Sequence, residues 1–345
     1  MTERFLLGDY AKAIVISWLV FFQVLFANQV FAACENSIRG INLVPLPTGF
    51  YKGAPELNFP TELQVDYYKD VGFNAIRLPI DWDKMQPLLN GNLDARYMAH
   101  MIEFLDKAQS RNIKVLVDLH NYGRHQGSLV GSPEVPVSAF KNIWTRLATS
   151  LSSHPAVYAY GLMNEPHHTG GLWSKSAQSG VDGIREVDSK HLIYVSGDDW
   201  SSSFSWPKTN PEPFVTDVNN KIVYEAHVYF DDNFSGRYKT AIGSTDLSSR
   251  VEQRVRPFLK WLKVNGQHGV IGEFGVPMDD PRWLMALTKF LDISDESCTD
   301  WFIWAGGSWR DSYELSLEPI NGKDRPQIEL LRKRLSNPDK LSFGK

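Results

Sequence analysis

Short, almost uninterrupted apolar runs recur along this chain, and between them apolar residues fall at helical spacing. The runs are IRGINLV (38–44), FNAIRLPI (73–80), IKVLVDLH (113–120), VYAYGLMN (157–164), HLIYVSG (191–197), KIVYEAHVYF (221–230), GVIGEFG (269–275) and TDWFIWAGG (299–307). Alternating runs would mark a sheet with one wet face, whereas continuous ones predict parallel strands covered on both sides. Over 93–112, Tyr97, Met101, Phe104, Leu105 and Ala108 line one helical face, with Asp94 at the start. Phe140, Ile143, Leu147 and Leu151 repeat the pattern, as do Val251, Val255, Phe258, Leu259 and Leu262, with Gly266 placed as a C-cap. Two further helices are expected to begin at prolines, Pro281 and Pro326.

Eight strand–helix units in about 300 residues predict an α/β fold, a single-domain (β/α)8 TIM barrel. A doubly wound sheet would carry a glycine-rich phosphate turn after its first strand, and GINLVPLPTGF (40–50) is not one. The stretch 198–220 has the weakest helical pattern and reads mostly as loop. In a closed barrel the first and eighth strands are neighbours. Cys34 and Cys298 precede them, so the two meet on the lower rim and a disulfide is expected. Free thiols, or a lipid on Cys34 in FAAC (31–34), stay open.

The N-terminal 33 residues change the picture of where the protein works. Arg4 and Lys12 precede the apolar run 13–27, and VFA (30–32) has the small-residue pattern of a cleavage site. The run is short of the ~20 residues a membrane helix needs. The expectation is a cleaved signal peptide over 1–33, a catalytic domain over 34–345, and a secreted protein, periplasmic or extracellular, with no stable membrane insertion after processing. A net charge of −4 offers no basic field for nucleic acid. The aromatic share, 12% with 11 Trp, leans toward a carbohydrate partner as well as a large core.

Barrel chemistry sits at the C-terminal ends of the strands. Those ends carry Arg77 on the second, His120, Asn121 and Tyr122 on the third, and Asn164 and Glu165 on the fourth. His227 and Tyr229 end the sixth, Glu273 the seventh and Trp304 the eighth, while Trp200 follows the fifth. One acid at a strand end is ordinary. Two glutamates on different strands, converging with amide, imidazole, phenol and indole, are what cleavage of a glycosidic bond needs: one to protonate the leaving oxygen, one to attack or to activate water.

The motifs GLMNEPHH (161–168), IGEFGVP (271–277), DLHNYGR (118–124) and WFIWAGGSW (301–309) resemble those of glycoside hydrolase family 5, which includes many endoglucanases. The resemblance covers nearly the whole chain after residue 33. It implies a retaining endo-β-1,4-glucanase acting by double displacement, with a β-linked poly- or oligosaccharide as partner, no cofactor and no metal; a monomer is expected. Glu165 is then the acid/base and Glu273 the nucleophile, roughly 5–5.5 Å apart. By the same resemblance Asn164 holds the sugar 2-hydroxyl, Arg77 and Tyr229 flank Glu273, and Arg77 keeps it ionised. His120 and His227 line the cleft, Trp304 stacks under the sugar, and Trp200 and Asn121 are further substrate contacts. β-Mannan and xyloglucan remain alternative substrates. With no separate cellulose-binding module in view, a soluble polymer is expected over crystalline cellulose.

Two other classes bear on the same residues. A metal-dependent barrel hydrolase would draw on His120, His125, His167, His168 and His227, but IRGINLV lacks the His-x-His that class often places on its first strand. A non-catalytic polysaccharide-binding barrel would keep the aromatics and lose a carboxylate; both are present.

Overall fold

The computed structural model describes residues 34, 37–45, 59–243, 246–309 and 312–336. The expected signal segment lies outside them. The strands are β1 (Arg39–Leu43), β2 (Ala75–Ile80), β3 (Lys114–Leu119), β4 (Val157–Gly161), β5 (Leu192–Ser196), β6 (Ile222–His227), β7 (Gly269–Glu273) and β8 (Asp300–Gly306). They pair in parallel, each with the next, and β8 closes back on β1 through Arg39–Trp301 and Ile41–Ile303. β2 is buried along its whole length. Its outer face meets helices and its inner face meets the barrel interior, which is why the sequence run is continuous rather than alternating.

The helical faces are largely those predicted. Ala95–Ser110 buries Tyr97, Met101, Phe104, Leu105 and Ala108, and the Asp94 side chain accepts from the Tyr97 backbone N–H at 2.7 Å. Leu247–Asn265 ends on Gly266 at φ 60°, a left-handed cap open to glycine. That helix differs in one respect. Leu259 is only partly buried, and Arg254 and Trp261 face inward beside the expected residues. Between β5 and β6 the only helix is Trp206–Thr209, so 198–220 is mostly loop as its pattern implied. The loop after β3 holds a small antiparallel hairpin, Arg124–His125 with Ser128–Leu129, that the pattern did not signal. Among the described residues no helix is long and apolar enough to cross a membrane.

Inside the barrel, Ala75, Leu116, Ala159, Tyr194, Val223, Val270 and Phe302 form a separate apolar cluster, one from each of β2 to β8. This plug fills the lower part of the barrel and leaves the upper part for polar side chains. Below it, Cys34 and Cys298 are joined by a disulfide, with Cα atoms 5.1 Å apart across 264 residues of sequence. Joining residues so distant restricts the unfolded chain by at most about 5 kcal/mol. Reduction, or Cys298→Ser, is therefore expected to lower Tm by roughly 5 °C or more while the barrel still folds. Thermal unfolding followed by circular dichroism with and without reductant reads this; an unchanged Tm would show that the bridge adds no stability.

Candidate active site

Strand side chains two residues apart share a face. Above Ala75 of the inner plug comes Arg77. Above Leu116 come Asp118 and then His120, and above Val223 come Glu225 and then His227. The interior thus passes from apolar, to a charged layer, to two imidazoles: His120, which lines the open cleft, and His227, which is buried and lines a neighbouring hollow instead of the cleft, a correction to the expectation that both line it. The β6–β7 register slips between Ala226 and His227, which sets His227 opposite Glu273.

Arg77 is the centre of the charged layer. It lies mid-strand, since β2 continues to Ile80, and it is fully buried. The expectation that it ends its strand among the cleft residues is corrected: it is sealed beneath the cleft and acts on the groups that line it. Its Nη1 donates to Asn42 Oδ1 at 2.9 Å and to Glu273 Oε1 at 3.1 Å. Its Nη2 reaches Asn164 Oδ1 at 2.8 Å, Glu225 Oε1 at 2.9 Å and Asp118 Oδ1 at 3.0 Å. Burial opposes the charge of this guanidinium, but Asp118, Glu225 and Glu273 outweigh it and raise its pKa. Gly272 makes room for the arrangement, because a Cβ there would stand 2.1 Å from Glu225 Oε1.

Glu273 accepts on both oxygens, from Arg77 on Oε1 and from the Tyr229 hydroxyl on Oε2 at 2.9 Å. Burial pushes its carboxyl above the ordinary glutamate range; His227 pulls it down, Glu165 adds to the rise, and Arg77 opposes it. The sequence expectation counted the flanking cation and not the desolvation. Glu165 follows β4 at φ 44°, left-handed backbone that a non-glycine residue adopts at a cost. Its Oε1 lies 2.8 Å from His227 Nδ1, and no described residue bonds its Oε2. One oxygen of each glutamate and a His227 nitrogen lie within 4.8 Å of one another.

Both nitrogens of His227 face carboxylates, Nδ1 toward Glu165 and Nε2 toward Glu225 at 3.1 Å. Burial alone would lower the pKa of this ring, but Glu273, Glu165 and Glu225 raise it to about 10. Such a ring is an imidazolium that donates on both sides. The trio Glu165, His227 and Glu273 has the spacing of metal ligands, and His227 would have to give up a proton to join them. Glu225, in turn, is held below the ordinary range: burial raises it, and Arg77 and His227 outweigh that.

The remaining expected residues divide. Asn164 is buried, and Arg77 fixes its oxygen inward, so its Nδ2 is left without a partner at the cleft wall. His120 and Trp304 line the cleft, with rings stacked at 5.8 Å; Asp118 holds His120 Nδ1 at 2.7 Å, and Trp304 Nε1 donates to the Tyr313 hydroxyl. Trp200 also lines the cleft and lies flat on His167 at 3.5 Å. Asn121 borders it too, but its Oδ1 accepts from the Trp82 N–H at 2.7 Å and its amide group leans on Asp81, so it braces two loops. His125 is buried against the Gln86 carbonyl, and His168 is exposed outside the cleft lining. The sequence reading missed Asn42, Asp118 and Glu225. The signal for the last two was present: an acid two residues before His120 and another two before His227, hence on the same face one layer deeper.

The cleft holds about 940 Å³ and opens to the surface, with both glutamates in its lining. Residues 34–309 match the family model for cellulase, glycosyl hydrolase family 5. The endo-beta-1,4-glucanase B of Emericella nidulans is 30% identical over 308 residues, 88% of this chain and 87% of the relative. The crystal structure of Pseudomonas stutzeri endoglucanase Cel5A in complex with cellobiose superposes with a TM-score of 0.83 at 38% identity, covering 89% of this chain and 94% of that one. The endo-beta-1,4-glucanase Xac0029 of Xanthomonas axonopodis pv. citri gives 0.79 at 30% identity, over 88% and 99%. On sequence, barrel and cleft together, the chain belongs to glycosyl hydrolase family 5.

Proposed function

We propose that this protein is an endo-β-1,4-glucanase that cleaves with retention, using Glu273 as nucleophile and Glu165 as acid/base. The observation that carries the mechanism is the gap between the carboxylates. Oxygens within 4.8 Å suit direct attack on the sugar, whereas an inverting pair stands ≈ 6.5–9.5 Å apart to admit water. β-1,4-Glucan leads over mannan and xyloglucan because the similar proteins are endoglucanases, one of them bound to cellobiose.

Two close carboxylates share protons as a pair. Hydrogen bonds decide where the proton goes. Both oxygens of Glu273 already accept, while Glu165 Oε2 is unbonded by described residues and can carry it. Glu273 attacks the anomeric carbon as the bond to the leaving oxygen breaks, and that oxygen takes the Glu165 proton. A glycosyl ester on Glu273 results. Glu165, now a carboxylate, takes a proton from water, whose oxygen attacks the anomeric carbon and frees Glu273. Asn164 Nδ2 is the donor for the sugar 2-hydroxyl, and Trp304 is the platform beneath the ring. His227, held cationic, steadies both carboxylates as charge moves between them.

The reading includes export. The signal-like N-terminus supports it, as does the disulfide, a bond that persists in oxidising compartments. Both carboxylates and all the described lining of the cleft come from one chain, and the reading takes the protein as a monomer.

Glu273→Gln keeps size and loses the nucleophile. Turnover of soluble β-1,4-glucan should fall by at least ~10³-fold while affinity electrophoresis still shows polymer binding. Retained turnover would remove the assignment. The His227 pKa is a second test. Its folded value lies above the free value of 6.5, so the stability it adds is complete below about 6.5 and is lost as pH rises through about 10. Histidine side-chain NMR should show a ring that titrates near 10 and is absent in His227→Gln; a His227 that titrates below 7 would contradict the network.

A further inference from the structure

Among the described residues, the exposed Trp, Phe and Tyr side chains are Trp200, Phe204 and Phe234. Three such residues scattered over a barrel would mean nothing. Here they share one hollow of about 470 Å³. Phe204 and Phe234 come from different loops, after β5 and β6, and their rings stack at 5.2 Å, inclined by 30°. The hollow is continuous with the cleft, because Glu165, Trp200 and Tyr229 line both. It touches Glu165 and not Glu273.

That asymmetry gives the hollow a direction. The acid/base protonates the leaving oxygen, so the sugars beyond that oxygen lie on its side. We infer that Phe204, backed by the stacked Phe234 ring, forms a distal platform for the leaving-side stretch of a β-1,4-glucan chain, beyond the unit that meets Trp200. The inference rests on Glu165 being the acid/base. Sugar rings present apolar C–H faces, which suit flat aromatic surfaces, and the hollow adds polar groups at its edge in Asn233 and Arg237.

The platform is built rather than frayed. Asp199, Trp200 and Ser201 are successive left-handed residues at φ 60°, 60° and 54°, and Phe234 stands at φ 61°. Bulky residues take this backbone only where the surroundings enforce it. Phe234 is enforced by Asp231, whose carbonyl accepts from the Phe234 N–H at 3.1 Å and whose carboxylate accepts from Gly236 and Tyr238 N–H. Arg254 holds the same loop through the Tyr229 and Asp231 carbonyls, each at 2.6 Å, and its guanidinium lies 3.9 Å from the Phe234 ring centre. A surface fixed before binding loses little freedom when a chain lies on it.

The experiment compares two substrates on the full chain: cellohexaose, long enough to reach the platform, and an aryl β-cellobioside, whose leaving group ends near Trp200. In Phe204→Ala and Phe234→Ala, kcat/KM for cellohexaose should fall roughly two- to tenfold, and cleavage should shift along the hexamer. The aryl cellobioside rate should be unchanged, and Phe204→Trp should retain the long-substrate rate. An equal fall on both substrates, no fall on either, or a change in oligomeric state in place of the rate effect overturns the platform. A wild type inactive on both substrates is a different failure: it ends the endoglucanase reading itself.

Discussion

A single buried cation organises the upper barrel. Arg77 is fully buried and bonds groups from β1, β3, β6 and β7 and from the end of β4. Removing a guanidinium from water is costly, and so is burying Asp118 and Glu225; each is tolerable because the others are there. What the network secures is position. Arg77 aims one Glu273 oxygen, turns the Asn164 amide so that its N–H faces the cleft, and neutralises acids that would otherwise repel the pair above them. Arg77 and the cationic ring of His227 share Glu225 as a counter-ion, so the two are electrostatically linked through one carboxylate.

The molecule separates stability from chemistry along the barrel axis. Below lie the disulfide and the apolar plug; above lie the ion network, the carboxylates and the aromatic surfaces. Glu165, Trp200 and Phe234 all hold left-handed conformations at the upper end, where hydrogen bonds and packing over-determine them. A strained residue there is aimed, not loose.

The barrel was legible in the sequence because each strand, buried on both faces, wrote itself as a continuous apolar run. Helix caps at Asp94 and Gly266 were equally plain, since their chemistry is local. Glu165 and Glu273 could be read from strand-end motifs. Depth could not. Arg77 looked like a cleft residue because sequence gives the strand and face but not the layer, and the layer depends on how eight strands stagger. Asp118 and Glu225 were hidden for the same reason, though their spacing from His120 and His227 encoded it. The push on Glu273 arises from desolvation, a property of the whole enclosure. Phe204 and Phe234 belong to loops without periodicity, and only folding brings their rings together.

The central claim is that the network leaves Glu273, and not Glu165, as the group that bonds to sugar. A 2-deoxy-2-fluoro cellobioside with an activated leaving group slows the second step more than the first, so the covalent ester accumulates. Mass spectrometry of a proteolytic digest should then find the added disaccharide on the peptide that contains Glu273. A label on Glu165, or turnover with inversion and no labelled peptide, would contradict the account.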